Sequence, residues 1–168
     1  PTLVRGRRLI ILDATSFADP EQRKELRGHT GAHPDTVEAI AMSRDLRNAC
    51  EELKDLQTDG RNSVICACRV GRHRSEALKM IVRDSLVRDM YDGESTSVNA
   101  ISLQAQTHWT KLCPENCPCC SGKQADDRRQ ISYDKAYNDV IAEIIPMKEK
   151  KKNVALKLVS KAKSRPSK

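Results

Sequence analysis

SVICACRVGRHRSEALKMIV, residues 63–82, decides the fold. Ser63 to Cys68 is a short apolar run, the pattern of a strand. From Leu78 the apolar positions Leu78, Ile81, Val82 and Leu86 recur at helical spacing. Between them, Gly71 lets the backbone turn tightly with its N–H groups inward. The free N–H groups of the following helix add partial positive charge. Strand, glycine turn and helix, with Arg72, His73 and Arg74 in the turn, make a place where an anion sits.

The flanking segments repeat that unit. LIIL (residues 9–12) predicts a strand that ends at Asp13. Residues 14–34, polar and broken by Pro20, Gly28, Gly31 and Pro34, predict a long loop with at most a short helix. A loop of that length in a compact domain is usually functional or mobile. Asp35 with Glu38 marks a helix start. Val37, Ile40, Ala41, Leu46, Ala49, Cys50 and Leu53 carry its stripe to Asp59-Gly60. VNAISL (98–103) predicts a third, weaker strand, and Tyr133, Ala136, Tyr137, Val140, Ile141, Ile144 and Ile145 a C-terminal helix up to Pro146. Strand, helix, strand, helix, strand implies right-handed crossovers. The expected fold class is α/β: a small, mostly parallel sheet of three to four strands with flanking helices, a zinc-stapled loop and a helical C-terminal extension. The division expected is a phospho-ligand-binding core over 1–106, a zinc knuckle over 107–122, a helix over 123–147 and a basic tail over 148–168.

The net charge of +7 belongs to that tail: nine Lys and Arg against Glu149 give residues 148–168 a charge of +8, leaving −1 for the first 147 residues. Lys150, Lys151, Lys152, Lys157 and Lys161 are the candidate contacts to RNA or DNA phosphates. With no aromatic residue to stack on bases, such binding would be poorly specific and salt-dependent. A solvated terminus and a nuclear localisation signal are the other readings. No signal peptide and no apolar run of about 18 residues is present; the expectation is an intracellular protein, cytoplasmic or nuclear, with no membrane partner. A first residue of Pro1 rather than methionine predicts a fragment or a processed chain.

Seven cysteines are an odd number, and four of them crowd into residues 113–120. That spacing suits a metal knuckle in a reducing compartment better than disulfides. In HWTKLCPENCPCC (residues 108–120) the natural tetrahedral set is His108, Cys113, Cys117 and Cys120, with Cys119 pointing away. The alternative drops His108 for all four cysteines; a redox cluster is a third reading. No coordination position is left open, so the zinc would be structural, with Trp109 packed beside it. His29 and His33, on the long loop, read as solvated, and Cys50 and Cys66 lie too far along the chain to complete the site.

Residues 68–75 fit Cys-x-x-Gly-x-x-Arg-Ser. Arg74 can give a phosphate two parallel hydrogen bonds, and Ser75 can bond a thiolate or the phosphate. A nest of N–H groups lowers a thiol pKa. Cysteine-dependent phosphatases share this signature, with Cys68 as nucleophile, Arg74 as clamp and Asp13 or Asp19 as acid. They mostly carry histidine where this chain has Ala67.

The run GRHRS also resembles the C-terminal domain of the bacterial RNase adapter RapZ family. The similarity extends upstream through Asp13, Asp19-Pro20, Arg27, Thr30-Gly31 and Val37, and covers residues 9–105. Departures are Thr15 in place of an arginine, Arg69-Val70 in place of small residues, and no counterpart of the histidine after the third strand. The resemblance implies a pocket for a phosphorylated small molecule, an amino-sugar phosphate in that family, formed by Asp13, Cys68, Gly71, Arg72, His73, Arg74 and Ser75. It also implies RNA contact, and binding in preference to catalysis. A zinc-containing nucleic-acid module with an idle loop is the remaining alternative.

Overall fold

The computed structural model describes residues 7–56, 61–69, 72–90, 113–114 and 117–145. Two strands, β1 (Arg7–Asp13) and β2 (Arg61–Ala67), pair in parallel, with Leu9 opposite Ser63, Ile11 opposite Ile65 and Asp13 opposite Ala67. The pairing runs one residue further, where the Ala14 N–H donates to the Ala67 carbonyl at 2.7 Å. Alternation along the strands sets the two faces. Ile10 and Leu12 are buried, with Val64 and Cys66 packed beside them, whereas Leu9, Ile11 and Ile65 are exposed. The mixed α/β class is as expected. Two strands are described; the proposed third, residues 98–103, lies outside the described residues.

The helices cover the inner face. α1 (Pro34–Ala41) packs against α3 (Arg74–Met90) and α4 (Lys123–Ala136), and α3 lies on β2. α2 (Leu46–Cys50) and a 3-10 segment, Glu51–Asp55, reach back to β1. α4 continues through a π-helical turn, Tyr137–Ile141, into α5 (Ala142–Ile144). Leu12, Val37, Ile40, Leu46, Leu53, Leu78, Ile81 and Ile141 form the fully buried centre. Truncating any one to alanine in such a core costs on the order of 2–5 kcal/mol.

One helix expected from Asp35 to Leu53 is two helices and a 3-10 segment. It opens one residue early: Pro34 is its first residue and the His33 Nδ1 accepts the Asp35 N–H at 3.2 Å. It breaks at Met42–Asp45, where the Ser43 hydroxyl accepts the Asp45 N–H at 3.2 Å and competes with the helix ladder. The long loop 14–34 holds two single 3-10 turns, Pro20–Gln22 and Lys24–Leu26, the first capped by Asp19 on the Glu21 N–H. Phe17, Pro20 and Leu26 are its buried anchors.

Candidate metal centre and the crevice at the strand ends

Two tight turns bring three cysteines onto one side of the segment before α4. Cys117 N–H donates to Pro114 and Cys120 N–H to Cys117, at 2.9 and 3.0 Å. The Ser121 hydroxyl holds the Cys117 carbonyl at 2.7 Å, and Gly122, at φ +89°, releases the chain into α4. Cys113, Cys117 and Cys120 are buried together, whereas Cys119 is exposed.

The group that meets them comes from the far end of the chain. His29 Nδ1 lies 3.4 Å from Cys120 Sγ, 3.6 Å from Cys117 Sγ and 3.9 Å from Cys113 Sγ, and the Cys113 and Cys120 sulfurs are 3.5 Å apart. A disulfide would need about 2.05 Å, and all seven cysteines are free. The four ligand atoms lie within 4.8 Å of one another, which is metal-binding distance. Burial pushes the Cys113 and Cys120 thiols up. At Cys117 burial acts the same way but is outweighed by N–H donors from Cys119 and Cys120 and by the Cys113 thiol, so its pKa falls. A cation at the centre would reverse the effect of burial and hold all three as thiolates.

His108 lies outside the described residues. The imidazole that faces the thiols is His29, which the sequence reading leaves in solvent. His33 and Cys119 also lie within 4.8 Å of His29. His33, however, uses Nδ1 to cap α1, so its proton sits on Nε2 and neither nitrogen is a ready ligand. Cys50 and Cys66 stand apart, their thiols pushed up to about 12, by burial above all.

Around the cluster the loop is fixed from two sides. Buried Arg129, from α4, donates through Nη1 to the Ala32 and Cys120 carbonyls, both at 2.7 Å, and pairs with Asp126. Gly31 lies against the start of α3, its N–H donating to the Arg72 carbonyl at 2.9 Å. A Cβ on Gly31 would stand 2.1 Å from the His73 carbonyl oxygen.

The ends of the strands form the second feature. Because Asp13 pairs with Ala67, the residues that follow both strands open on one crevice of about 540 Å³, lined by Asp13, Thr15, Asp19, Ala67, Cys68, Arg69 and Arg74. This is where open α/β sheets hold ligands. The Cys68 thiol donates to the Ser75 hydroxyl at 3.2 Å. Arg74 Nη1 donates to the Thr15 and Phe17 carbonyls, both at 3.0 Å, and among the described residues nothing takes its Nε–Nη2 edge. Asp13 accepts the Thr15 N–H at 2.8 Å; that bond, and more weakly Arg74, holds its carboxyl below the usual range.

Arg72 and His73 turn away from this crevice. Arg72 pairs with Glu21 and donates to the Arg27 carbonyl at 3.2 Å. Buried His73 places Nε2 2.7 Å from the His29 carbonyl, which can only accept, so Nε2 carries the proton. Arg72 Nε, 3.2 Å from that nitrogen, is therefore packed against it and not bonded to it. Burial lowers the His73 pKa, and Arg72 acts in the same direction. Gly71 and the lysines from Lys150 to Lys161 lie outside the described residues.

Against protein-family models, curated proteins and solved structures the chain gives no match, so the chemistry of these two features carries the functional reading.

Proposed function

We propose that the chain is a phospho-ligand-binding domain of the kind its resemblance to the RapZ C-terminal domain implies, with zinc as a structural ion beside the pocket. The observation that carries the first half is the crevice where β1 and β2 end. Arg69 and Arg74 line it together with Cys68, whose thiol donates to the Ser75 hydroxyl. Arg74 has two jobs: Nη1 braces the loop after β1, and Nε and Nη2 are the fork offered to a phosphate. Thr15 also lines the crevice.

Binding suits this site better than turnover. A thiolate nucleophile needs an acid that holds a proton for the leaving group. Asp13, its carboxyl lowered by the Thr15 N–H, is ionised at neutral pH, and Asp19 is committed through Oδ1 as the cap on the Glu21 N–H. An ionised Asp13 suits a hydroxyl or ammonium group on the ligand carrying the phosphate.

For zinc, bonds of about 2.3 Å to sulfur and about 2.0–2.1 Å to nitrogen place tetrahedral ligands about 3.5–3.8 Å apart. The three separations from His29 Nδ1 and the one between the Cys113 and Cys120 sulfurs run from 3.4 to 3.9 Å, and all four ligand atoms lie within 4.8 Å of one another. Three thiols and an imidazole are zinc's ligand types, and no ligand position is left for substrate.

Binding of inorganic phosphate, followed by thermal protection, tests the pocket. Arg74→Ala should weaken it at least tenfold, Cys68→Ser only slightly. Unchanged affinity in Arg74→Ala would remove the pocket, and hydrolysis of an aryl phosphate that Cys68→Ser abolishes would make the chain an enzyme.

A further inference from the structure

The metal cluster and the crevice share a wall. The wall is loop 14–34, which has few buried anchors of its own and is held instead by three consecutive residues of the turn before α3. Arg74 fixes Thr15 and Phe17. Arg72 fixes Glu21 and Arg27 by its side chain, and Gly31 by its carbonyl. His73 fixes the carbonyl of His29. The imidazole of that same His29 faces the three thiols. One residue therefore has its side chain in the cluster and its backbone on the turn that shapes the crevice. Gly31, two residues on, adds a second tie to the turn through its N–H to the Arg72 carbonyl.

We infer that metal occupancy and phosphate occupancy are energetically coupled through His29 and His73, so that the metal tightens the crevice and the phosphate tightens the metal. This rests on the phosphate-binding reading above. A loop whose one end is tied by a metal and whose other end is tied by the anion-binding turn has two states, docked and undocked. Both ligands favour the docked one. Without metal, His29 and three close-packed thiols keep only weak S–H contacts, the docked state loses its anchor, and the partners of Arg72, His73 and Arg74 are less well ordered. Affinity for phosphate falls by the undocked fraction. Linkage requires the reciprocal effect on the metal to be of the same size.

The contacts select His73 as the positioning residue. It is no ligand of the cluster, it does not line the larger crevice, and its single strong bond joins the two sites. Replacing it with leucine removes the donor to the His29 carbonyl while leaving all four candidate ligands in place.

The test measures zinc affinity of the full chain against a chelator that also buffers free zinc below the level at which phosphate precipitates it. In the wild type, saturating inorganic phosphate should raise zinc affinity at least about fivefold, the lower end of common coupling strengths. In His73→Leu, at phosphate saturating for that variant, the gain should drop below twofold. Zinc affinity that ignores phosphate in the wild type overturns the coupling. A gain that persists in full in His73→Leu overturns the relay, because it would then come from stabilisation of the whole fold. Phosphate binding to the zinc-loaded wild type is read in the same series. Its absence would sink the phosphate pocket and the coupling together; its presence without linkage would sink the coupling alone.

Discussion

Gly31→Ala is the sharpest probe of the contact between loop and turn. A Cβ at Gly31 would lie 2.1 Å from the His73 carbonyl oxygen and 2.7 Å from both Ala77 N and Glu76 Cβ. Two of these three atoms are backbone, so neither can rotate aside. To reach ordinary contact the loop must retreat by about 1 Å, which no well-packed core accommodates without strain of about 1–3 kcal/mol. The same retreat stretches the Gly31 N–H to Arg72 bond, now 2.9 Å, and the His73 to His29 bond, now 2.7 Å. Losing a buried partner costs about 1–3 kcal/mol per group. With partial relaxation the total is about 3–5 kcal/mol. Urea unfolding with a slope of about 1.5 kcal/mol/M would then lose about 2–3 M in midpoint. Gly28, three residues earlier, is the control. A Cβ there meets nothing within 4 Å, so Gly28→Ala should be neutral or stabilising by up to about 1 kcal/mol through the unfolded chain. A Gly31→Ala midpoint within about 0.5 M of the Gly28→Ala midpoint would refute the close approach of the loop to the start of α3.

Two further outcomes are expected. Zinc content of purified protein should be about one per chain and should be lost in His29→Ala but kept in His108→Ala, as atomic emission would show; the reverse pattern would return the fourth position to His108. Stability should be pH-dependent in the mildly acidic range because burial depresses the His73 pKa. Unfolded histidine titrates near about 6.5, so below that pH the unfolded chain binds a proton the folded one refuses. The His73 contribution is then full above about pH 6.5 and falls as the pH drops towards the lower folded value. The urea midpoint should be flat from neutral to about pH 8 and decline on the acid side. It should also fall above the unfolded thiol value of about 8.5, because burial raises the Cys50 and Cys66 thiols. His73→Gln should lessen the acid decline, leaving the share of His33, which burial also lowers; an equal slope in the variant would place the titration elsewhere.

What was legible in the sequence is what neighbours along the chain decide. β1, β2 and α3 follow from apolar runs and spacing that need no distant partner, and the parallel pairing follows from the helix-bearing segment between the strands. The break at Met42–Asp45 was overlooked in the same stripe. Ile40 and Ala41 before it and Leu46, Ala49 and Cys50 after it are all buried, yet at about 100° per residue the second group falls on the opposite side of a continuous helix. The jump in phase marks the place where the Ser43 hydroxyl interrupts the ladder. The three cysteines were visible because knuckle spacing is local. His29 was not, because 84 residues separate it from Cys113 and no spacing rule reaches that far. Arg129, which holds both the loop and the knuckle by their carbonyls, left no motif at all.

The turn at residues 72–74 shows why a motif overstates its own ligand. Read as a string, Arg72, His73 and Arg74 are three donors for one phosphate. Folded, Arg72 is satisfied by a carboxylate and a carbonyl, His73 by a carbonyl, and Arg74 by two carbonyls on one nitrogen only. A long loop with little apolar content needs donors for its backbone carbonyls, since buried ones left unpaired are costly. The turn is the nearest source. The same three residues that read as an anion site therefore also build the wall of the crevice. The proposed phosphate would be left with Arg69 and one edge of Arg74. A site of that composition would have a fixed shape at the cost of raw charge, and its affinity would depend on whether the wall is in place.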